Sequence, residues 1–197
     1  MNRAVFLDRD GVLNELKYNE QELLWDSPYT LSDFYWLPGV PEAIHKLNKL
    51  GLKTIVISNQ PGVAKGKCPA YFLEELNHKM VTELSASGAW LDAIYYCLHH
   101  PDGSILEYRK DCDCRKPKSG LLIKASQEHE IDLSASYMIG DRLIDIQAGQ
   151  SVGCKAFFVE SPATNGYNLS QNIDCFPNLP QAVRKILQEE GAFGDLS

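Results

Sequence analysis

The stretch Ala4-Val5-Phe6-Leu7-Asp8-Arg9-Asp10-Gly11 sets the reading of everything that follows it. Four apolar residues make a run suited to a buried strand, and two carboxylates spaced two apart follow at once, then a glycine. Carboxylates at the exit of a buried strand repel each other unless a cation neutralises them. Their spacing lets both face one pocket, and Gly11 lets the backbone turn tightly beside them. The expectation is a metal held at this strand end, with one carboxylate left over for chemistry.

Three further segments answer that pair. Thr54-Ile55-Val56-Ile57 runs into Ser58-Asn59-Gln60, and Tyr137-Met138-Ile139 runs into Gly140-Asp141-Arg142, with Asp145 four residues after Asp141. Arg115-Lys116-Pro117 lies between them. They add a hydroxyl, a cation and a further acid, each just past an apolar run or in a loop. In the order Asp-x-Asp-Gly, Ser-Asn, Arg-Lys-Pro, Gly-Asp-x-x-x-Asp, the chain resembles the haloacid dehalogenase superfamily of phosphatases over roughly residues 3–160.

That resemblance implies roles. Asp8 attacks phosphorus and forms an aspartyl-phosphate, as nucleophilic carboxylates do. Asp10 protonates the leaving oxygen and then activates water. Ser58, Asn59 and Gln60 bind substrate, the phosphate oxygens being held by a hydroxyl and backbone N–H groups at a strand end. Lys116 brings a compact positive charge to the same phosphate. Mg²⁺ takes oxygen ligands from Asp8, the Asp10 carbonyl and Asp141, the sparse carboxylate shell this ion prefers. For Asp145 two readings stay open: a supporting hydrogen bond, or an acid on a helix surface.

A second metal signal is Cys97-Leu98-His99, then twelve residues, then Cys112-Asp113-Cys114. Three thiolates and one imidazole match a closed tetrahedral zinc site. The C-x-H and C-x-C spacings are shorter than the usual C-x₂-C, so a generic zinc-finger template fits poorly. His100 is the alternative nitrogen ligand, although Pro101 after it points to a turn. Cys68, Cys154 and Cys175 read as ordinary residues. With these cysteines running into Arg115-Lys116-Pro117, the chain resembles more narrowly the heptose bisphosphate phosphatases and their relatives the histidinol-phosphate phosphatases. In that group Zn²⁺ shapes the substrate loop, Mg²⁺ serves the reaction, and the Arg before Lys-Pro, here Arg115, contacts substrate. A catalytically silent zinc module that binds a partner is the competing class, and four catalytic motifs argue against it.

The apolar runs 4–7, 53–57, 93–96, 137–139 and 156–159 are continuous, as in strands covered on both faces. Helical patterns over 41–50, 69–86, 120–130, 142–150 and 180–190 alternate with them. Strand alternating with helix predicts an α/β fold with a doubly wound parallel sheet. The resemblance implies the order 3-2-1-4-5 (Rossmann-like, haloacid dehalogenase type) and no large cap domain beyond the zinc-bound loop. One domain over 1–197 is expected from the length. Residues 15–36 break the alternation and carry Tyr18, Trp25, Tyr29, Phe34, Tyr35 and Trp36. A segment this long beside a catalytic motif is a lid or a disordered insertion, and its aromatics favour a packed flap.

The formal net charge of −7 gives no basic footprint for nucleic acid. No apolar stretch approaches the ~20 residues that span a bilayer. Met1-Asn2-Arg3-Ala4 enters a strand directly, so no signal peptide and a cytoplasmic location are expected. A monomer acting on a small sugar phosphate, a bisphosphate above histidinol phosphate because Arg115 adjoins Lys116, completes the expectation.

Overall fold

Six parallel strands form the centre of the protein, and the computed structural model describes residues 1–164 and 173–192. In chain order the strands are β1 (Ala4–Leu7), the hairpin pair β2 (Lys17–Asn19) and β3 (Leu24–Asp26), β4 (Lys53–Asn59), β5 (Ala93–Cys97), β6 (Tyr137–Gly140), β7 (Lys155–Val159) and β8 (Asp174–Phe176). The helices are α1 (Val40–Lys49), α2 (Tyr71–Ala86), α3 (Gly120–Glu128), α4 (Leu143–Ser151) and α5 (Leu179–Glu189). The main sheet runs β5-β4-β1-β6-β7-β8, which is the expected 3-2-1-4-5 order with one more edge strand. β8 was not expected, because Asp174-Cys175-Phe176 is too short and too polar to stand out as an apolar run.

The continuous apolar runs are explained by helices on both faces. Val5, Leu7, Val56 and Ile139 point to one side, where they pack with Ile44 and Leu47 of α1, Leu76 and Met80 of α2, and Val183 and Ile186 of α5. Ala4, Phe6, Ile55, Ile57 and Met138 point to the other, against Leu121, Leu122 and Ala125 of α3 and Ala148 of α4. Successive residues of one strand therefore serve two cores.

Register then does the positioning. Leu7 pairs with Val56 of β4 and with Ile139 of β6, so β1 and β6 end almost level while β4 runs three residues further, to Asn59. The chain turns one way from β1 to β4 and β5, and the other way through β6 and β7. Between β1 and β6 lies the switch point where ligands collect in such sheets. Asp8, Ser58, Asn59, Gly140 and Asp141 all lie at that edge.

Residues 15–36 hold an antiparallel hairpin in which Tyr18 packs edge-on against Trp25. At its base Glu15 N donates to Tyr35 O and Leu37 N to Leu13 O, both at 2.9 Å. The segment is a packed flap. Among the described residues no helix is long and apolar enough to cross a membrane.

Candidate active site

Asp8 extends the β1–β6 ladder by one residue, its N–H donating to Ile139 O at 2.9 Å. That backbone bond aims its carboxylate into the pocket at the end of the sheet. Carboxylate oxygens of Asp8, Asp141 and Asp145 lie within 4.8 Å of one another, all on buried residues. The ammonium of Lys116, itself buried, sits 2.9 Å from Asp8 Oδ1 and 2.6 Å from Asp145 Oδ1, and it also donates to Ile57 O at 2.7 Å. With all three acids ionised, one ammonium would leave this buried cluster with two unbalanced negative charges, and Arg142 beside the pocket offsets that only in part. Burial pushes Asp141 up to about 8, with Asp8 and Asp145 adding to the rise. Burial likewise pushes Asp145 up to about 6, against the pull of Lys116. Burial alone would lower Lys116, but Asp145 and Asp8 outweigh it and the group stays cationic.

Among the described residues neither buried side-chain oxygen of Asp141 accepts a hydrogen bond of good geometry, although Ser161 lies close enough to favour its charged form. Such an orphaned carboxylate is costly unless a cation joins it. A divalent ion matches both the unfilled oxygens and the missing charge, and oxygen donors are what Mg²⁺ takes. Gly11 makes the close approach feasible. Its φ is +84°, and a Cβ there would fall 2.4 Å from Asp141 Oδ2. Asp145, left open between two roles by its sequence, is fully buried and belongs to the Lys116 ion pair. Its other oxygen accepts from Arg142 N at 2.9 Å, capping α4.

Asp10 faces a different set of partners. Arg9, wholly buried, forks onto it with Nε to Oδ1 at 2.9 Å and Nη2 to Oδ2 at 3.0 Å. Gln60 Nε2 donates to Oδ2 at 2.8 Å, Asn14 Nδ2 to Oδ1 at 3.0 Å, and Ser27 Oγ to Oδ2 at 2.7 Å. Burial opposes the Asp10 carboxylate, yet Arg9 and the other donors hold it below the usual range. Arg9 also donates to Gln60 Oε1 at 2.9 Å, and its guanidinium lies 5.4 Å from the Tyr96 ring centre.

Gln60, expected to bind substrate, thus spends its side chain on Asp10, Arg9 and Ser58, whose Oγ it reaches at 3.1 Å. The Asn59 side chain clamps the backbone of Lys116 instead, accepting from its N–H at 3.0 Å and donating to its carbonyl at 3.1 Å. Ser58 and Asn59 do line the pocket, with Asp8, Asp10, Arg115 and Lys116. Arg9, Asn14 and Ser27 went unread in the sequence. A charged residue trapped between two carboxylates inside a buried segment was a usable signal for Arg9. Nothing local marked Ser27, which reaches Asp10 only because the flap folds back.

The cysteine cluster gathers as its spacing predicted. Cys97 ends β5, and Cys112 and Cys114 return to it, with Sγ–Sγ distances of 3.6, 3.2 and 3.1 Å. His99 Nδ1 lies 3.2 Å from Cys114 Sγ and 3.9 Å from Cys97 Sγ. A tetrahedral ion with Zn–S bonds of about 2.3 Å has sulfur–sulfur edges of roughly 3.8 Å, so the donor set fits with slight expansion. His100 is not part of it. Its Nδ1 accepts from Asp102 N at 3.1 Å, the turn that Pro101 implied. Arg115 follows Cys114 directly and donates from Nη1 to His99 O at 3.3 Å. The cage therefore fixes the approach of both Arg115 and Lys116 to the pocket.

Comparison with known proteins agrees with this geometry. A family described as HAD-hydrolase-like matches residues 113–185. The D-glycero-beta-D-manno-heptose-1,7-bisphosphate 7-phosphatase of Escherichia coli (strain K12) is 38% identical over 191 residues, covering 92% of this chain and 94% of the relative. The enzyme of the same name from Photorhabdus laumondii is 38% identical over 192 residues, covering 93% and 96%. Among solved structures, the D,D-heptose 1,7-bisphosphate phosphatase of B. bronchiseptica, complexed with magnesium and phosphate, superposes with a TM-score of 0.79 at 28% identity, covering 95% of this chain and 99% of that one. With this identity over nearly the whole length, the chain belongs to the haloacid dehalogenase superfamily of phosphatases, in the family of the heptose-1,7-bisphosphate 7-phosphatases.

Proposed function

We propose that this phosphatase removes the 7-phosphate of D-glycero-D-manno-heptose 1,7-bisphosphate through an aspartyl-phosphate on Asp8. The observation that carries the reading is the pocket itself: a nucleophile candidate at its base, Lys116 bonded to that carboxylate, and Arg115 in the wall. The names of the relatives supply the sugar.

In the first half-reaction an Asp8 oxygen bonds to phosphorus as the phosphorus–sugar oxygen bond breaks. Asp10 gives its proton to the departing oxygen. In the second half a water oxygen bonds to phosphorus, the Asp8–phosphorus bond breaks, and Asp10 takes the proton back. Lys116 keeps Asp8 aimed in line and offsets its charge while the dianion approaches. The donors around Asp10 favour its carboxylate, which is the form the second half needs. The charge of the arriving phosphate raises its affinity for a proton before the first. Asp8, the Asp10 carbonyl and Asp141 would hold Mg²⁺, which when bound draws charge from the non-bridging phosphate oxygens. Cys97, His99, Cys112 and Cys114 would hold Zn²⁺ as a structural ion. The enzyme is read as a single-domain monomer of the cytoplasm, where six unpaired cysteines suit a reducing compartment.

Release of inorganic phosphate from the heptose bisphosphate, histidinol phosphate and p-nitrophenyl phosphate, with and without Mg²⁺, tests the assignment. The bisphosphate should give the highest kcat/KM, and a preference for histidinol phosphate would reassign the substrate. Arg115 has a specific part in this. A guanidinium in the pocket wall can grip the distal phosphate with two parallel hydrogen bonds. Charged hydrogen bonds contribute about 1.5–3 kcal/mol each. Arg115→Ala should therefore lower kcat/KM for the bisphosphate by about 10- to 100-fold and leave p-nitrophenyl phosphate, which has no second anionic group, far less changed. Equal losses on both would assign Arg115 to the reacting phosphate or to the loop.

A pH prediction follows from Asp141. Its folded-state value of about 8 lies above the unfolded reference of 3.8, so the metal-free fold binds this proton more tightly than the unfolded chain. Its contribution to stability is complete below the unfolded value and is lost as pH rises through the folded one. Mg²⁺ must displace that proton, so the affinity for Mg²⁺ should rise with pH between about 6 and 8, by up to about tenfold per unit. Thermal-shift titrations with Mg²⁺ at several pH values measure it, and a pH-independent affinity would contradict the assignment.

A further inference from the structure

The β2–β3 flap is bridged at two of its acids by one lysine from the body of the fold. Lys67, in the turn between β4 and α2, places Nζ 2.6 Å from Glu22 Oε2 and 2.7 Å from Asp26 Oδ2. Asp26 is then saturated, since its Oδ1 accepts from Tyr29 OH at 2.7 Å and from Ser27 N at 2.9 Å. The Tyr29 ring packs against the same turn, where a Cβ on Gly62 would fall 2.4 Å from Tyr29 Cε1. Lys67 Nζ sits 5.7 Å from that ring's centre. The residue next to Asp26 is Ser27, and its hydroxyl donates to Asp10 at 2.7 Å. An unbroken chain of short contacts thus runs from Lys67 through Asp26 and Ser27 to Asp10.

We propose that Lys67 is a positioning residue for the phosphatase reaction: by bridging Glu22 and Asp26 it seats the flap so that Ser27 holds the Asp10 carboxyl in its working orientation. This rests on the reading of Asp10 as the acid–base group. The physical case is that each donor narrows the orientations open to the Asp10 carboxyl, so the working geometry needs the full set. Arg9, Gln60 and Asn14 approach from the body of the fold, and Ser27 alone of these four donors comes from the flap. Losing the flap donor leaves Oδ2 held by Arg9 and Gln60 alone, and the carboxyl can then shift away from its working position. An error of about 1 Å at such a centre costs up to about 100-fold in rate.

The test is a double-mutant cycle on the full-length enzyme, read as kcat and KM with the heptose bisphosphate. Ser27→Ala should lower kcat by about tenfold with KM little changed, and Lys67→Met should do the same. The double variant should be no worse than the lower single variant within about twofold, because both substitutions cut one path. Lys67→Arg, which can still bridge two carboxylates, should recover most of the rate. Glu22→Gln, at the exposed end of the bridge, should give a smaller loss in the same direction and keeps the test alive if Lys67→Met is unstable. Amide exchange over residues 17–26 should quicken in Lys67→Met and not in Lys67→Arg. Losses that multiply in the double variant, a wild-type kcat in Lys67→Met and Glu22→Gln, or an effect confined to KM would each overturn the proposal. Asp10→Asn separates the two readings. If it stays active the acid–base assignment fails, whereas an inactive Asp10→Asn beside silent Ser27 and Lys67 variants refutes the positioning role alone.

Discussion

Asp8→Asn abolishes turnover while the protein stays folded: that is the expected result with the largest effect. Replacing a nucleophilic carboxylate by an amide removes the atom that bonds to phosphorus, and loss of a nucleophile costs on the order of 10⁴- to 10⁶-fold in kcat. The amide is nearly isosteric and removes one of three crowded buried carboxylates, so metal-free stability should hold or rise. The substitution also breaks the 2.9 Å ion pair with Lys116, which keeps its 2.6 Å partner Asp145. Lys116 is therefore not left as an unpaired buried charge. Asp10→Asn should also be severe, but it can still form the aspartyl-phosphate with a good leaving group, so acid-quenched protein should retain phosphate. Steady-state rates, thermal melts and mass spectrometry of the quenched enzyme decide both. More than a few per cent of wild-type rate in Asp8→Asn would sink the assignment of the nucleophile.

The second large effect concerns the sulfur cage. Purified protein should carry about one equivalent of zinc, and Cys112→Ser or Cys114→Ser should release it. Burial pushes the thiols of Cys97 and Cys114 up, and although Cys112, against burial, is lowered by hydrogen bonds from those two, a cation is needed to draw off the protons of all three sulfurs. Structural zinc contributes ~10–16 kcal/mol of apparent binding free energy in isolated peptides. Here the cage closes one loop on a sheet with its own core. A loss of at least ~2 kcal/mol, or roughly 4–8 °C in Tm, is the conservative expectation. Activity should fall because Arg115 and Lys116 lose their anchor, with the Asn59 clamp on the Lys116 backbone retaining part of it. Metal analysis finding no zinc in protein prepared without chelators would refute the site.

Both sites could be read largely from local segments. For Asp8, the strand, the turn and the partner motifs are each local, and their order along the chain is enough to bring them together once the sheet is parallel. The cysteines are similar: a short strand end and one returning loop put four soft donors in reach of each other. Asp145 resisted, because a carboxylate three residues into a helix reads as surface until it is known which face of α4 meets the sheet. Gln60 and Asn59 were legible as polar groups at a strand end. Whether they face the phosphate or brace the groups that do depends on neighbours from β1 and from the loop after Cys114.

By itself the sequence determined the α/β alternation and set paired carboxylates, a lysine and a cysteine–histidine cluster at strand ends and in loops, while the strand order and the roles of those groups came from the family that the motifs resemble. The alternation and the placement follow from the period of apolar residues and from polar groups at strand ends, and both are properties of short segments. Only the tertiary structure decided the charge balance at the sheet edge, the burial of Arg9 against Asp10, the pairing of Lys116 with Asp145, and the arrival of Ser27 from the flap. Each of these is a contact between segments far apart in the chain. Its energy depends on how much water the fold excludes and on distances of a few ångströms, and neither is encoded in any one stretch of residues.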